Sequence, residues 1–404
     1  MRKINVYFQI SYILINISVF LLGLNFLLLQ TIPSYSVPLR NSVRMLALLI
    51  AITSIFFYPE PIVFSTPDIL MLLLSIPGCV VSRFESNHLL FLSLILICLK
   101  PYSIQQCIKI CKNASVLIFL TYIALYEMGY IKWIVYGVYS WRRRNTLGFN
   151  NVNEAMLLFL SLVVIWILDS PTVKKALIGS AFIQWVFFET NSRTGYLAFL
   201  VFMFFMILRY VNLALAKRRS RISEFQAETD AVECSKTESR FERRPQTPGS
   251  EIFGELLIQI IALLLVLWPF FAYYLNQWFP FLDSLLSYRV SIAIFVVRHL
   301  TPEQLLFGGV GGMDHVGLCL LAEYGAFMLV FFVYRIFRSI KNAVKYRNAT
   351  NLAILLSSVT LSSAESALIR PEILISIVFW KSILYDYRDE YGKGGFHEDS
   401  LYNK

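Results

Sequence analysis

The sequence predicts an all-α, polytopic membrane protein, a transmembrane helix bundle of about twelve spans. Three observations lead to this fold class: hydrophobic residues make up 57% of the 404 residues, charged residues make up only 15%, and the mean hydropathy is +0.61. A soluble domain carries roughly 25% charged residues, so we expect lipid to surround most of this chain. Apolar runs of about 20 residues then favour helices, because a bilayer offers the backbone no hydrogen-bonding partner.

Charged or proline-containing breaks divide the chain into these apolar runs. Arg2 and Lys3 precede the first run without a small-residue cleavage motif after it, so we expect a retained signal anchor. The whole chain, residues 1–404, is predicted to be a single integral membrane domain. The predicted spans are residues 6–29, 43–57, 62–81, 89–99, 114–130, 153–168, 175–190, 194–213, 256–275, 316–337, 352–364 and 373–385.

The distribution of basic residues orients the bundle, because lysine and arginine near helix ends favour the cytoplasmic side. With both termini in the cytoplasm, 25 of the 36 lysine and arginine residues lie inside and 11 outside. Residues 216–255 are then predicted to be a flexible cytoplasmic loop. Residues 276–315 are predicted to be a larger extracytoplasmic loop between the ninth and tenth spans, with a short amphipathic surface helix over 282–300.

Composition also argues against several kinds of partner. The net charge of +10 is explained by cytoplasmic anchoring, so we expect no nucleic acid partner. The six cysteines predict neither a disulfide framework nor a metal site. Cys107 and Cys111 lie one helical turn apart, but none of the four histidines is nearby.

Three outer segments carry arginine against the orientation signal, which suggests a use other than anchoring. Arg144 precedes the sixth span, Arg193 precedes the eighth, and Arg289 lies in the 276–315 loop. Guanidinium groups and helix N-termini both favour phosphate oxygens, so we predict an outward-facing diphosphate pocket. The three arginines should then lie within about 10 Å, one Debye length. The alternative is that they bind lipid headgroups.

Other candidate residues lie in the second half of the 276–315 loop. Gly308 and Gly309 allow the backbone to approach a ligand closely, although a hinge without a ligand is an alternative. Asp314 and His315 are suited to general-base work, and their alternatives are a helix cap and an interfacial histidine. Arg298 lies nine residues after Arg289, on the opposite face of the predicted surface helix, so only one of the two is expected in the site.

In order and predicted topology, these segments resemble the bacterial O-antigen polymerase and ligase family over roughly residues 144–325. The chain has Asp-His at 314–315 where many members have Asp-Asn or His-Asn, so either residue can inherit the catalytic role. The similar motifs are RNTLGF at 144–149 leading to Asn153, SRTG at 192–195, SYR at 287–289, LFGG at 306–309, and DH at 314–315 leading to Gly325.

The resemblance implies a polymerase of undecaprenyl-diphosphate-linked oligosaccharide repeat units in capsule, exopolysaccharide or O-antigen synthesis. It implies the bacterial plasma (inner) membrane, no metal or other cofactor, and chain-length regulator and flippase proteins as possible partners. A ligase with the same donor chemistry and a lipid-linked oligosaccharide flippase are the alternatives. By resemblance Arg144, Arg193 and Arg289 bind the diphosphate, Arg289, Asp314 and His315 take part in catalysis, and Asn153, Gly308 and Gly309 belong to the substrate loop.

Overall fold

The structure, a computed structural model, consists almost entirely of helices connected by short segments. It describes residues 2–82, 87–136, 144–233, 248–279, 281, 289–311, 315–346, 348–363 and 365–385. The first nine helices are α1 Arg2–Thr31, α2 Val37–Phe56, α3 Thr66–Val81, α4 His88–Leu99, α5 Ile104–Glu127, α6 Val152–Asp169, α7 Val173–Thr190, α8 Arg193–Glu233 and α9 Pro248–Leu267.

The second half contains shorter helices as well as one long one. Between α5 and α6, strand β1 (Val135–Tyr136) pairs antiparallel with strand β2 (Arg144–Asn145). The remaining helices are α10 Ala272–Trp278, α11 Arg289–His299, α12 Pro302–Phe307, α13 Val316–Tyr324, α14 Ala326–Lys345, α15 Ala349–Ser362 and α16 Leu374–Leu384.

Within the described residues, six helices are long and apolar enough to cross a membrane. Each candidate span has at least 18 residues, about 27 Å at 1.5 Å per residue, close to the thickness of a bilayer core. The all-helical fold class is therefore confirmed, and the prediction of about twelve spans is supported only for these six. They are Val6–Thr31, Pro38–Phe56, Ile104–Glu127, Val152–Asp169, Arg193–Asn212 and Gly254–Trp278.

Two short helices near the C-terminal end of the described chain are almost completely buried. All 11 residues of α16 are buried, and so is α15 from Asn351 to Ser362. Helix α8 packs along α15, while α16 contacts α5, α6 and α14. A helix that is apolar all round is buried either in lipid or in protein. These two apolar runs, predicted as spans, are here enclosed by other helices.

Two helix boundaries differ from the sequence-based expectation. The predicted tenth span is divided at Gly325, whose φ is +88° and whose hypothetical Cβ would lie 2.1 Å from the Leu306 carbonyl oxygen. Glycine alone permits this close crossing of two chain segments. Helix α8 continues to Glu233, so the first part of the predicted 216–255 loop is helical, as its alanine, lysine, arginine and glutamate content favours.

The two ends of the bundle have different polar groups. We call the end at which α2, α4, α6, α8 and α16 begin the arginine end, and the opposite end the lysine end. At the lysine end, Lys381 Nζ donates to the carbonyl oxygens of Leu99 (3.1 Å) and Lys100 (3.0 Å), and Arg335 Nε donates to that of Ile383 (2.8 Å). These cations bind helix C-termini, where the helix dipole favours positive charge.

Candidate anion-binding site

Arg144 lies in β2 at the start of a tightly held turn. The Asn145 amide donates to Glu189 at the end of α7 (3.0 Å), and the Tyr122 hydroxyl donates to the Leu147 carbonyl (2.9 Å). Leu147 is fully buried with φ of +51°, a conformation that bulky residues rarely adopt. Such a conformation persists only where the surrounding contacts enforce it, so the backbone that carries Arg144 is well fixed.

Arg193 is the first residue of α8 and follows a two-residue turn after α7. Asn191 has φ of +50°, and its N–H donates to the Phe187 carbonyl (2.7 Å), which ends α7. Across the turn, the rings of Phe187 and Tyr196 stack at 4.3 Å. Among the described residues, Leu147 and Asn191 are the non-glycine residues with positive φ, and each lies within three positions of a predicted site arginine.

Arg289 begins α11 and is held by a carboxylate. Its Nη2 lies 2.7 Å from Oε1 of Glu365, which follows α15. The side chains of Arg289 and Glu365 are 17% and 15% exposed, so the pair is partly accessible to solvent. Arg298, nine residues further on, is exposed and stacks over the ring of Tyr273 at 4.9 Å instead.

Arg193 and Arg289 both lie close enough to Arg144 for their charges to act on it. Burial, and then the charges of Arg193 and Arg289, lower the pKa of Arg144 from its usual range. In the described part of the chain, neither Arg144 nor Arg193 forms an ion pair with a carboxylate, and Nε of Arg144 is buried without a hydrogen-bonding partner. We call Arg144, Arg193 and Arg289 the arginine cluster. Among the residues that the structure describes, only Arg289 of this cluster is paired with a carboxylate, so the cluster favours a bound anion.

His315 is a helix cap here and not an exposed base. Its Nδ1 accepts hydrogen bonds from the N–H groups of Gly317 (2.9 Å) and Leu318 (3.3 Å), so Nε2 carries the proton and donates to the Leu265 carbonyl (3.1 Å). The side chain is 4% exposed. Burial and, less strongly, Arg289 lower the pKa of His315 to about 4, although its hydrogen bond to Leu265 opposes this. Both ring nitrogens are therefore engaged in this structure, and a catalytic role for His315 stays a prediction. Asp314 lies outside the described residues.

The two predicted loop glycines pack closely against neighbouring segments of the protein. The N–H of Gly309 donates to the Glu323 carbonyl (3.1 Å), and a Cβ on Gly308 would lie 2.3 Å from that same peptide group. Their small size thus serves the approach of this segment to α13, and their assignment to a substrate loop stays a prediction. Asn153 lies in the first turn of α6, where its N–H donates to Oδ1 of the N-cap Asn151 (2.9 Å).

A second ionic group at the arginine end was not predicted. Arg44 forms a buried ion pair with Glu372 and also contacts His88 Nδ1 (2.9 Å). Arg370 pairs with Glu154 in the first turn of α6 (2.8 Å). The sequence contained a signal for both arginines, because Arg370 lies in a predicted outer segment and Arg44 lies at the outer end of the predicted span 43–57. Their acidic partners are 328 and 216 residues away along the chain, so no local pattern could identify the pairs.

Fold and site together define an all-helical protein with membrane-spanning character and a cationic cluster at one end of its bundle. No protein-family model matches the chain, and neither a curated protein nor a solved structure matches it.

Proposed function

We propose that the protein is a polymerase of undecaprenyl-diphosphate-linked oligosaccharide repeat units, acting in capsule, exopolysaccharide or O-antigen synthesis. The arginine cluster is the observation that supports this most directly. A diphosphate presents several charged oxygens to guanidinium groups that already repel one another, so its binding relieves that repulsion. The motifs that resemble the O-antigen polymerase and ligase family include all three arginines of the cluster.

The proposal includes a topology. The chain would pass about twelve times through the bacterial plasma (inner) membrane, with both termini in the cytoplasm and the arginine end on the extracytoplasmic face. The lipid-linked donor would lie with its isoprenoid chain in the bilayer and its diphosphate at the membrane surface. Arg144, Arg193 and Arg289 are then at the depth at which a diphosphate headgroup is found.

The proposed chemistry needs no metal or nucleotide sugar. The glycan of one lipid-diphosphate donor is transferred to the terminal sugar of another lipid-linked glycan, and undecaprenyl diphosphate leaves. Charge develops on the leaving diphosphate as its bond to the sugar breaks. Fixed guanidinium groups stabilise such charge most strongly in the transition state, because they need no reorganisation during the reaction.

The proposal is tested by the lengths of the glycans that the purified protein makes. Wild type, Arg289→Ala and Arg298→Ala are reconstituted in lipid vesicles with lipid-linked repeat units extracted from cells that make the protein. We expect a ladder of glycans from wild type and from Arg298→Ala. Arg289→Ala should lose at least about 10²-fold in rate, as expected when a donor to developing charge is removed. Arg298 is the matched control, since it belongs to the same helix as Arg289 but its guanidinium stacks on the ring of Tyr273.

Other products would indicate the alternative functions. Transfer of a preformed glycan to a different acceptor, without a ladder, would identify a ligase. Movement of intact lipid-linked units across the vesicle membrane, without a new glycosidic bond, would identify a flippase. An equal loss of the ladder in Arg289→Ala and Arg298→Ala would contradict the assignment of the site to the arginine cluster.

A further inference from the structure

The carboxylates at the arginine end differ in accessibility and in what they contact. Glu372 is paired with Arg44 where both side chains are less than 5% exposed, so a ligand cannot reach it. Glu154 pairs with Arg370, outside the arginine cluster, and Glu189 accepts a hydrogen bond from the neutral amide of Asn145. Among the described residues, Glu365 is the carboxylate that forms an ion pair with a member of the cluster, Arg289.

The backbone around Glu365 is held from several sides. The Trp268 indole donates to the Ser363 carbonyl (3.1 Å), and the Glu365 N–H donates to the Leu361 carbonyl (3.2 Å). Three residues beyond Glu365, the Leu368 carbonyl accepts from Trp380 Nε1 (2.6 Å) and from the Ser376 hydroxyl (3.1 Å). Because its backbone is held in this way, the Glu365 carboxylate should stay close to Arg289 when another anion binds that guanidinium.

We propose that Glu365 is the general base of the glycosyl transfer, an inference that rests on the proposed function. In the empty site Glu365 neutralises Arg289. The donor diphosphate displaces it from the guanidinium, and the released carboxylate then accepts the proton of the acceptor hydroxyl. One guanidinium thus couples donor binding to the availability of the base.

The step balances in atoms and charge. The acceptor oxygen forms a bond to the anomeric carbon of the donor while the bond from that carbon to the diphosphate oxygen breaks. The electron pair of the broken bond leaves with undecaprenyl diphosphate, and the arginine cluster holds the added negative charge. The hydroxyl proton passes to Glu365, which releases it to water and pairs with Arg289 again when the product departs.

If the donor diphosphate replaces Glu365 at Arg289, substitution of Glu365 has an effect on binding that a purely structural ion pair would not predict. Glu365 competes with the donor for Arg289, so a neutral side chain at position 365 should strengthen donor binding. From the typical strength of partly exposed ion pairs, we expect Glu365→Gln to bind the donor about 2-fold to 5-fold more tightly. The same change removes the base, so transfer should fall by about 10²-fold or more.

The test measures donor binding and transfer on the full-length protein in lipid nanodiscs. Undecaprenyl diphosphate is the binding probe, and extracted lipid-linked repeat units are the substrate for a single round of transfer. We expect Glu365→Gln to combine tighter binding with slow transfer, and Glu365→Asp to recover part of the rate. Added formate should partly restore transfer to Glu365→Gly, because a small carboxylate can replace the missing base.

The matched control is Asp169→Asn at the lysine end. The Asp169 side chain is 12% exposed and is paired with Lys112 at 3.3 Å, an environment similar to that of Glu365 but far from the cluster. It should leave binding and transfer unchanged. Wild-type transfer in Glu365→Gln would overturn the proposal, and so would loss of donor binding together with transfer, which indicates that Glu365 only positions Arg289. Absence of donor binding to wild type would instead refute the proposed function itself.

Discussion

At the scale of single residues, Arg144 combines two unfavourable conditions. It is half-buried, and its charge is repelled by Arg193 and Arg289, which together lower its pKa. In the described part of the chain no carboxylate is paired with it to offset this. Local conflicts of this kind are found at functional sites more often than elsewhere. The strained backbone at Leu147, three residues later, is consistent with that interpretation.

His315 allows a prediction that separates a cap from a base. We expect His315→Ala to destabilise the protein by about 1–3 kcal/mol, because the N–H groups of Gly317 and Leu318 lose their acceptor. His315→Asn should recover part of this, since asparagine is a good N-cap. Its transfer rate should stay within about tenfold of wild type, and a loss of 10²-fold to 10⁴-fold would contradict the cap assignment.

The substitution His315→Asn should also change how the stability of the protein depends on pH. The pKa of His315 is about 4 in the folded protein, against an ordinary value of 6.5. Between these values the unfolded chain binds the proton more readily, so stability falls as pH decreases from 6.5 toward 4. Thermal unfolding in detergent at pH 7 and pH 5 measures this, and the decrease should be smaller in His315→Asn than in wild type.

At the scale of elements, glycines determine where α12, α13 and α14 can meet. Gly308 has φ of +77°, and a Cβ there would collide with the Glu323 backbone. Gly129 has nearly the same φ, +78°, but no atom lies within 4 Å of its hypothetical Cβ. The two positions therefore share the conformational requirement and differ in the crowding around them.

This difference gives a matched pair of substitutions. Gly129→Ala should cost about 1 kcal/mol, the strain of a positive φ alone. Gly308→Ala should cost about 3 kcal/mol or more, because the clash with backbone adds to the strain. The measurement is thermal unfolding of both purified variants in the same detergent. Equal destabilisation would show that α13 can move away from Gly308 without loss.

Helix positions could be predicted from the sequence better than helix environments. Each predicted span overlaps a helix, because an apolar run has the same length and composition whether lipid or protein surrounds it. For that reason hydropathy did not reveal that α15 and α16 are enclosed by other helices. The division at Gly325 was also missed, since it depends on the Leu306 carbonyl of another segment.

Of the residues in the candidate site, only the arginines could be predicted from the sequence. Arg144, Arg193 and Arg289 could be found because they contradict the orientation rule, which is a property of the sequence alone. Glu365 follows no such rule, and it lies 76 residues from Arg289. The role of His315 depends on the Leu265 carbonyl, 50 residues away, and a hydrogen bond of this kind has no sequence signature.

At the scale of the whole molecule, the proposed function requires the arginine end to face away from the cytoplasm. Single introduced cysteines can test this, because the five cysteines of the described chain are buried. Cys234, outside those residues, is first replaced by serine. Tyr130 at the arginine end is 64% exposed, and Lys174 at the lysine end is exposed.

We expect a membrane-impermeant maleimide to label Tyr130→Cys in intact cells. Lys174→Cys should react only after the cells are permeabilised, because the bilayer separates it from the reagent. The extent of labelling is read from the mass of the purified protein. Labelling of Lys174→Cys alone in intact cells would reverse the proposed orientation and place the arginine cluster in the cytoplasm, away from extracytoplasmic substrates.

The buried Arg44–Glu372 pair has a consequence for biosynthesis. Arg44 is 1% exposed, and its acidic partner is made 328 residues later, just before α16. Until that segment has been translated, Arg44 has no counter-charge from Glu372, and the C-terminal end of α4 has no cation from Lys381. A buried arginine without its counter-charge is costly. We therefore expect the early helices to reach their final packing only after Glu372 and α16 have been translated.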